Sequence, residues 1–304
     1  MQLRWNKRNL KQLNFKWPLV YGYIVGNKFI NWVLIACGLC NSAFAAQTRD
    51  LPKHYSVPGG VAVLALSIQS AEPPEVYFQN KRTMVIADPK QSNHWLSIIG
   101  IPLDITNGIH SIKISTAAGL SEQNFEINNK KYPQEKLTIQ NKRKVEPLPE
   151  DLLIIEAQYL ETIKTYEHWQ YQPLASLHLS LPVKGRKSSP FGLTRIMNNI
   201  PQNPHSGLDI AAAKGTPVQV AKAGTVINLG NFFYSGKIVF VDHGQGFITS
   251  YCHLDSILVN KGQQLQTGDI IGTIGNTGRA TGAHLHWSVS LNGVRVDPQL
   301  FIYE

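Results

Sequence analysis

The chain has 304 residues, 43% of them apolar and 16% charged, which suits a globular protein of two domains and excludes a disordered one. Its formal charge of +9 does not make it a nucleic-acid binder: six basic residues (Arg4, Lys7, Arg8, Lys11, Lys16, Lys28) and no acid fall in residues 1–46, and no basic-aromatic stripe follows. The modest excess in residues 171–304, ten basic against six acidic, suits an anionic polymer without requiring one.

Residues 1–45 read as a signal peptide. FINWVLIACGLCNSAFAAQ follows Lys28 with an apolar run and ends on the small-x-small site Ala43-Phe44-Ala45. The basic lead-in is long, as a start at Val25 would explain, and Leu34-Ile35-Ala36-Cys37 offers an alternative lipobox. The expected location is therefore the periplasm or cell envelope, with membrane attachment only if the signal is uncleaved or lipidated. Cleavage removes Cys37 and Cys40 and leaves Cys252 alone, so the mature chain has no internal disulfide.

Residues 46–146 carry short apolar runs broken by turn residues (VAVLALSI, TMVIAD, HWLSIIGIPL, HSIKIST, FEINN, KLTIQ), the spacing of a small antiparallel β-sandwich. A connecting helix and linker are expected over 147–177, where PLPEDLLIIEAQYLETIKTYEHWQ changes to helical periodicity with acids in its first turn. From His178 to the C-terminus the chain is rich in Gly, Val, Ile and Thr and reads as a second all-β domain. KGTPVQVAKAGTVINLG from Lys214 and KGQQLQTGDIIGTIG from Lys261 share an order of Lys-Gly, strand, tight turn, strand, a faint internal duplication.

Within this last domain, TGAHLHW puts His284 and His286 on one face of a strand, continued by Ser288 and Ser290. Leu285, Trp287, Val289 and Leu291 take the other face. In NPHSGLDIAA, Pro204 and Gly207 make a loop entering a strand the expected setting for His205 and Asp209. In FITSYCHLD, a regular strand places Phe247, Thr249, Tyr251 and His253 on one face and Ile248, Ser250, Cys252 and Leu254 on the other, after a hairpin turn at Gly244-Gln245-Gly246. Two imidazoles and a carboxylate make a hydrolytic zinc site with one position open to water, and two further histidines nearby can move protons near neutral pH.

HSGLD, SYCHL and TGRATGAHLHW together resemble the HxxxD, YxHL and HxH motifs of the lysostaphin-type zinc metalloendopeptidases, over roughly Pro182 to Phe301. SSPFG, AAAKGTPVQVAKAG, VDHGQG, QTGDIIGTIGNTG and VDP also match that family's pattern, and the upstream region is similar to exported members with an extra N-terminal β-domain. The resemblance implies a mainly β fold: an N-terminal small β-sandwich, a connecting helix and a β-rich peptidase domain built on a duplicated motif over 178–304. It implies one Zn²⁺ held by His205, Asp209 and His286, with His253 and His284 as non-ligand catalytic histidines. The implied activity is hydrolysis of peptide bonds in bacterial peptidoglycan, crosslinks or stem peptides. The alternative is a non-catalytic wall-binding or hydrolase-activator protein, which typically lacks ligands that this chain keeps. Ala283 departs from the proline often found before the HxH pair.

Other residues receive structural readings. His54, His94, His110, His168 and His178 are expected at the surface or in structural roles, His243 to shape a turn, Asp297 to make another, and Arg279 to sit in a loop, with contact to substrate as the alternative. Cys252 is expected as buried packing facing away from His253. The loop LTRIMNNIPQNPH, with its prolines and asparagines, is expected to border the groove without forming a strand. Either this loop or the N-terminal region would limit access until the wall or a regulatory protein partner displaces it.

Overall fold

The computed structural model describes residues 51–174 and 176–303; the expected signal peptide lies outside them. As expected, the fold is mainly β, and the described residues hold one α-helix, Pro149–Tyr166.

The N-terminal part is a sandwich of two small antiparallel sheets. One holds Val61–Ala65, Trp95–Gly100 and Met84–Ala87; the other holds Lys81–Arg82, Glu75–Phe78, Gly108–Thr116 and Gly119–Ile127. Ala62, Val76, Phe78, Ile99, Ile112 and Ile114 fill the space between the sheets. Alternation sends Val61, Met84, Leu96 and Ile98 to the opposite face, where they join the main core that also holds Leu208, Trp287 and Leu291. The first sheet is thus buried on both sides, which is why WLSIIG is a nearly continuous apolar run. Polar contacts seal the junction: Asn292 exchanges side-chain hydrogen bonds with the backbone of Gly100, and the Val85 N–H donates to Gln245 Oε1 at 3.1 Å.

The helix begins with Pro149 in its first turn, and the Leu148 N–H donates to the Asp151 carboxylate, which Arg143 also grips with Nε and Nη2. At its far end Tyr166 packs with Phe240, Ile248 and Cys252 in a second cluster on the sheet. Asn228 donates to Glu161 and Thr165, which lays the helix along the sheet face. The polar face of the histidine strand is therefore covered: Ser288 and Ser290 are buried. No helix among the described residues is long and apolar enough to cross a membrane.

The C-terminal part is a ten-stranded sheet whose path runs Gln264–Leu265, Gly224–Phe232, Gly236–Asp242, Ile248–Ile257, His284–Leu291, Leu208–Ala211 and Arg186–Ser189. The duplication is reciprocal in space. Pro217–Gln219 of the first unit pairs with Ile270–Ile274 of the second, and Gln264–Leu265 of the second pairs with Gly224–Phe232 of the first. The turn contacts match as well: the Gly215 N–H donates to Ile274 O and the Gly262 N–H to Val226 O, each at 2.8 Å. Each unit supplies the edge the other lacks, so neither is complete alone.

Candidate active site

Three neighbouring strands set the first residues. Asp209 on Leu208–Ala211 stands directly opposite His286, and His286 stands opposite Cys252 on Ile248–Ile257. His205 reaches the same point from the loop before Leu208–Ala211, as its flanking Pro204 and Gly207 predicted. A Cβ on Gly207 would lie 2.6 Å from Trp287 O and 2.7 Å from His286 Nε2, so only glycine lets this loop close over the histidine strand.

The resulting cluster is tight. His205 Nε2 and His286 Nδ1 are 2.9 Å apart, and Asp209 Oδ1 lies 2.9 Å from the first and 2.8 Å from the second. The outer ring nitrogens are engaged: His205 Nδ1–H donates to Pro190 O at 2.7 Å, and Ser288 Oγ lies 3.1 Å from His286 Nε2. Such outer contacts fix the tautomer and aim the bare nitrogen inward, as metal-ligating histidines require. Asp209 Oδ2 accepts a 2.7 Å hydrogen bond from Arg195 Nη2, whose guanidinium also donates to Glu135 and Ser189. Two imidazoles and one carboxylate converging this way fit a zinc ion with one open position. Burial opposes ionisation of Asp209, but its close contacts with His205 and His286 hold its carboxyl well below the usual range. Burial is also the main reason His286 falls to about 4.

His253 and His284 join the cluster, but His253 does so through an irregularity. The pairing of Gly236–Asp242 with Ile248–Ile257 slips between Val239↔Tyr251 and Lys237↔Leu254, inserting one extra residue. His253 takes φ +63 there and donates its N–H to Ser235 O. Gly275 makes room, since a Cβ on it would meet His253 O at 2.7 Å. The bulge corrects the face assignments in SYCHL. His253 and Cys252 both line the groove, and Leu254 turns into the main core with Tyr251. The His253 ring centroid lies 4.8 Å from that of His284 and 6.0 Å from that of His286. His253 Nδ1–H donates to Thr277 O and His284 Nδ1–H to Gly282 O, each at 2.8 Å, so both Nε2 atoms are bare in the neutral rings. Burial, reinforced by His284 and His286, pushes His253 down to about 3. Cys252 is packed as expected, and burial pushes its thiol up to about 12, which rules it out as a nucleophile at neutral pH.

The cluster lies in an open groove of about 920 Å³. One side is the helix (Gln158, Thr162), another the segment from Arg195 to Pro204, and Leu103 reaches in from the sandwich. The segment corrects a second expectation. Thr194–Met197 and Ile200–Pro201 form a hairpin around Asn198 and Asn199, whose φ values of +50 and +67 make the two-residue turn asparagine tolerates. Thr194–Met197 also pairs in parallel with Gln134–Leu137. Arg195 and Glu135 were missed in the sequence because they act through contacts distant along the chain.

The remaining histidines stand apart. His243 is buried, its Nδ1–H donating to Ala223 O beside the Gly244-Gln245-Gly246 turn, and burial pushes it down to about 4. His178 stacks on Tyr303, and Asp297 accepts from Gln299 N at a 3-10 turn.

Known proteins resemble the chain in both parts. The model for "Peptidase family M23" matches residues 203–298, and that for "Peptidase family M23 N-terminal domain" matches residues 54–130. The crystal structure of a Pseudomonas aeruginosa protein assigned to peptidase M23 superposes with a TM-score of 0.70 at 38% identity, covering 84% of this chain and 98% of that one. The chain belongs to peptidase family M23. Among other M23 relatives, the peptidoglycan DD-endopeptidase ShyA of Vibrio cholerae is 46% identical over 90 residues, 30% of this chain and 21% of ShyA. The DD-carboxypeptidase/endopeptidase Mpg of Neisseria meningitidis is 37% identical over 113 residues, 37% of this chain and 26% of Mpg. The match thus spans about a fifth to a quarter of those relatives' own lengths.

Proposed function

We propose that this M23 peptidase is a zinc-dependent endopeptidase that cuts peptide bonds in bacterial peptidoglycan. The observation that carries the reading is the convergence of His205 Nε2, Asp209 Oδ1 and His286 Nδ1 to within 2.9 Å of one another in a groove open to a polymer. These three residues are the metal ligands. When bound, zinc supplies Lewis acidity and makes water a nucleophile near neutral pH.

The protein's own part is positioning and proton transfer. His284 Nε2 lies 3.9 Å from Asp209 Oδ1, and His253 stands beside it with its own bare Nε2. Together they take a proton from the attacking water and return one to the leaving amine. The complete set of five groups favours an enzyme over a wall-binding scaffold. The names of ShyA and Mpg support peptidoglycan as substrate. A leader over residues 1–45 would export the chain to the periplasm or cell envelope, with 46–146 and 147–177 ahead of the catalytic part at 178–304.

The test is digestion of purified peptidoglycan, with released fragments identified by mass. Zinc-loaded protein should release peptide fragments, and His205→Ala and His286→Ala should lose both zinc and release. Intact peptidoglycan after treatment with fully loaded protein would refute the reading.

A further inference from the structure

Three guanidinium groups line the groove, those of Arg195, Arg279 and Arg295, and Arg295 lies over the Tyr166 ring beside the helix, 5.4 Å from the centroid. Arg195 is paired with Asp209 and Glu135. Arg279 has no carboxylate within ion-pair distance among the described residues; its guanidinium lies over the Tyr234 ring, 4.5 Å from the centroid, and Nη1 donates to Gln202 Oε1 at 2.8 Å. Its side chain is half-buried, and burial together with Arg195 weighs against its charge. A cation without a carboxylate partner in such a place costs stability, and among the described residues its guanidinium donates to Gln202 alone. Stacking and the Gln202 hydrogen bond meanwhile fix the plane of the fork, as pre-organisation for a ligand requires.

The placement relative to the histidines is equally fixed. The Arg279 N–H donates to Tyr234 O at 2.8 Å, and on the same turn Thr277 O accepts from His253 Nδ1–H. Thr277 Oγ1 accepts from Lys237 N and donates to Leu254 O, tying the turn to the bulged strand. Whatever the guanidinium holds is therefore positioned against His253 by a short, hydrogen-bonded path.

We propose that Arg279 binds a free carboxylate of the substrate peptide next to the bond that is cut. The assignment rests on the endopeptidase reading above and deepens it. Where the amine side of the cut bond belongs to a residue whose own carboxyl is free, that carboxylate sits one carbon from the bond nitrogen, and a planar guanidinium matches a carboxylate with two parallel hydrogen bonds. Substrates amidated at that carboxylate lose the charge and one acceptor.

The experiment uses two peptides, diacetyl-Lys-D-Ala-D-Ala as the free acid and as its C-terminal amide, with zinc-loaded full-length protein. Binding is measured by calorimetry and cleavage by chromatography. The wild type should bind the acid about 10- to 100-fold more tightly than the amide, the range for hydrogen bonds to charged groups. Arg279→Gln should bring that ratio to within about threefold, and Arg279→Lys should keep part of it as a point charge without the fork. Zinc content and thermal midpoint check that each variant is folded. If Arg279→Gln does not fold, the wild-type ratio and Arg279→Lys decide. Equal or undetectable binding of both peptides by the wild type, or a preference that survives in Arg279→Gln, overturns the assignment. Acid-selective binding without cleavage of peptide or peptidoglycan overturns the endopeptidase reading and leaves the carboxylate site standing.

Discussion

Replacing Arg195 with methionine tests how the proposed ligand set is held. The Arg195 side chain is 13% exposed, and it neutralises an Asp209 side chain that is 8% exposed and a Glu135 side chain that is 25% exposed. Methionine keeps much of the packing volume but leaves Asp209 Oδ2 without its donor and Glu135 without a counter-ion. Removing one partner of a buried pair costs about 3–5 kcal/mol. Hydration of the partly exposed Glu135 brings the expected loss nearer about 2–3 kcal/mol. Loss of an outer contact to a ligand lowers metal affinity about 10- to 100-fold. Zinc Kd by chelator competition and thermal unfolding of the apo and loaded forms measure both effects. Glu135→Gln added to Arg195→Met should recover stability, because it removes the stranded charge, but should not recover zinc affinity. A zinc Kd within about threefold of wild type in folded Arg195→Met would refute the role assigned to this contact.

Other expectations follow from the same geometry. His253→Ala and His284→Ala should retain zinc yet lose about 100- to 10,000-fold in hydrolysis; near-normal turnover in both would remove them from catalysis. His243 is at about 4 when folded, against 6.5 for the ordinary imidazole, so the unfolded chain binds the extra proton. Its contribution of about 3 kcal/mol is complete above pH 6.5 and is lost as pH falls toward 4; His243→Asn should flatten the acid limb of stability against pH measured by denaturant unfolding, and an unchanged slope would sink the argument. Cys252 should resist thiol reagents in the native protein and react only on unfolding. A fragment beginning at Leu179 tests whether the N-terminal region only screens the groove. Val61, Met84, Leu96 and Ile98 belong to the catalytic core and contribute about 1.5–3 kcal/mol each, so this fragment should fail to fold cooperatively; a cooperative unfolding transition near the full-length midpoint would contradict the shared core.

What could be read along the chain was whatever short-range geometry controls. Side chains in an extended strand alternate, so His284 and His286 had to share a face and Leu285 and Trp287 had to oppose them, and both pairs are found that way. Proline and glycine around His205 likewise announced a loop feeding a strand, and the two Lys-Gly units betrayed their duplication. Tertiary structure decided what depends on partners far apart in the chain. The extra residue at His253 exists because two neighbouring strands pair out of step, and that slip, invisible in SYCHL, turns His253 toward His284 and sends Leu254 into the core. Pairing of Thr194–Met197 with Gln134–Leu137 brings Glu135 to Arg195 and Arg195 to Asp209, across separations no local pattern reports. Burial of one sandwich sheet on both faces was equally hidden, because an apolar strand carries the same residues whether it covers one core or joins two.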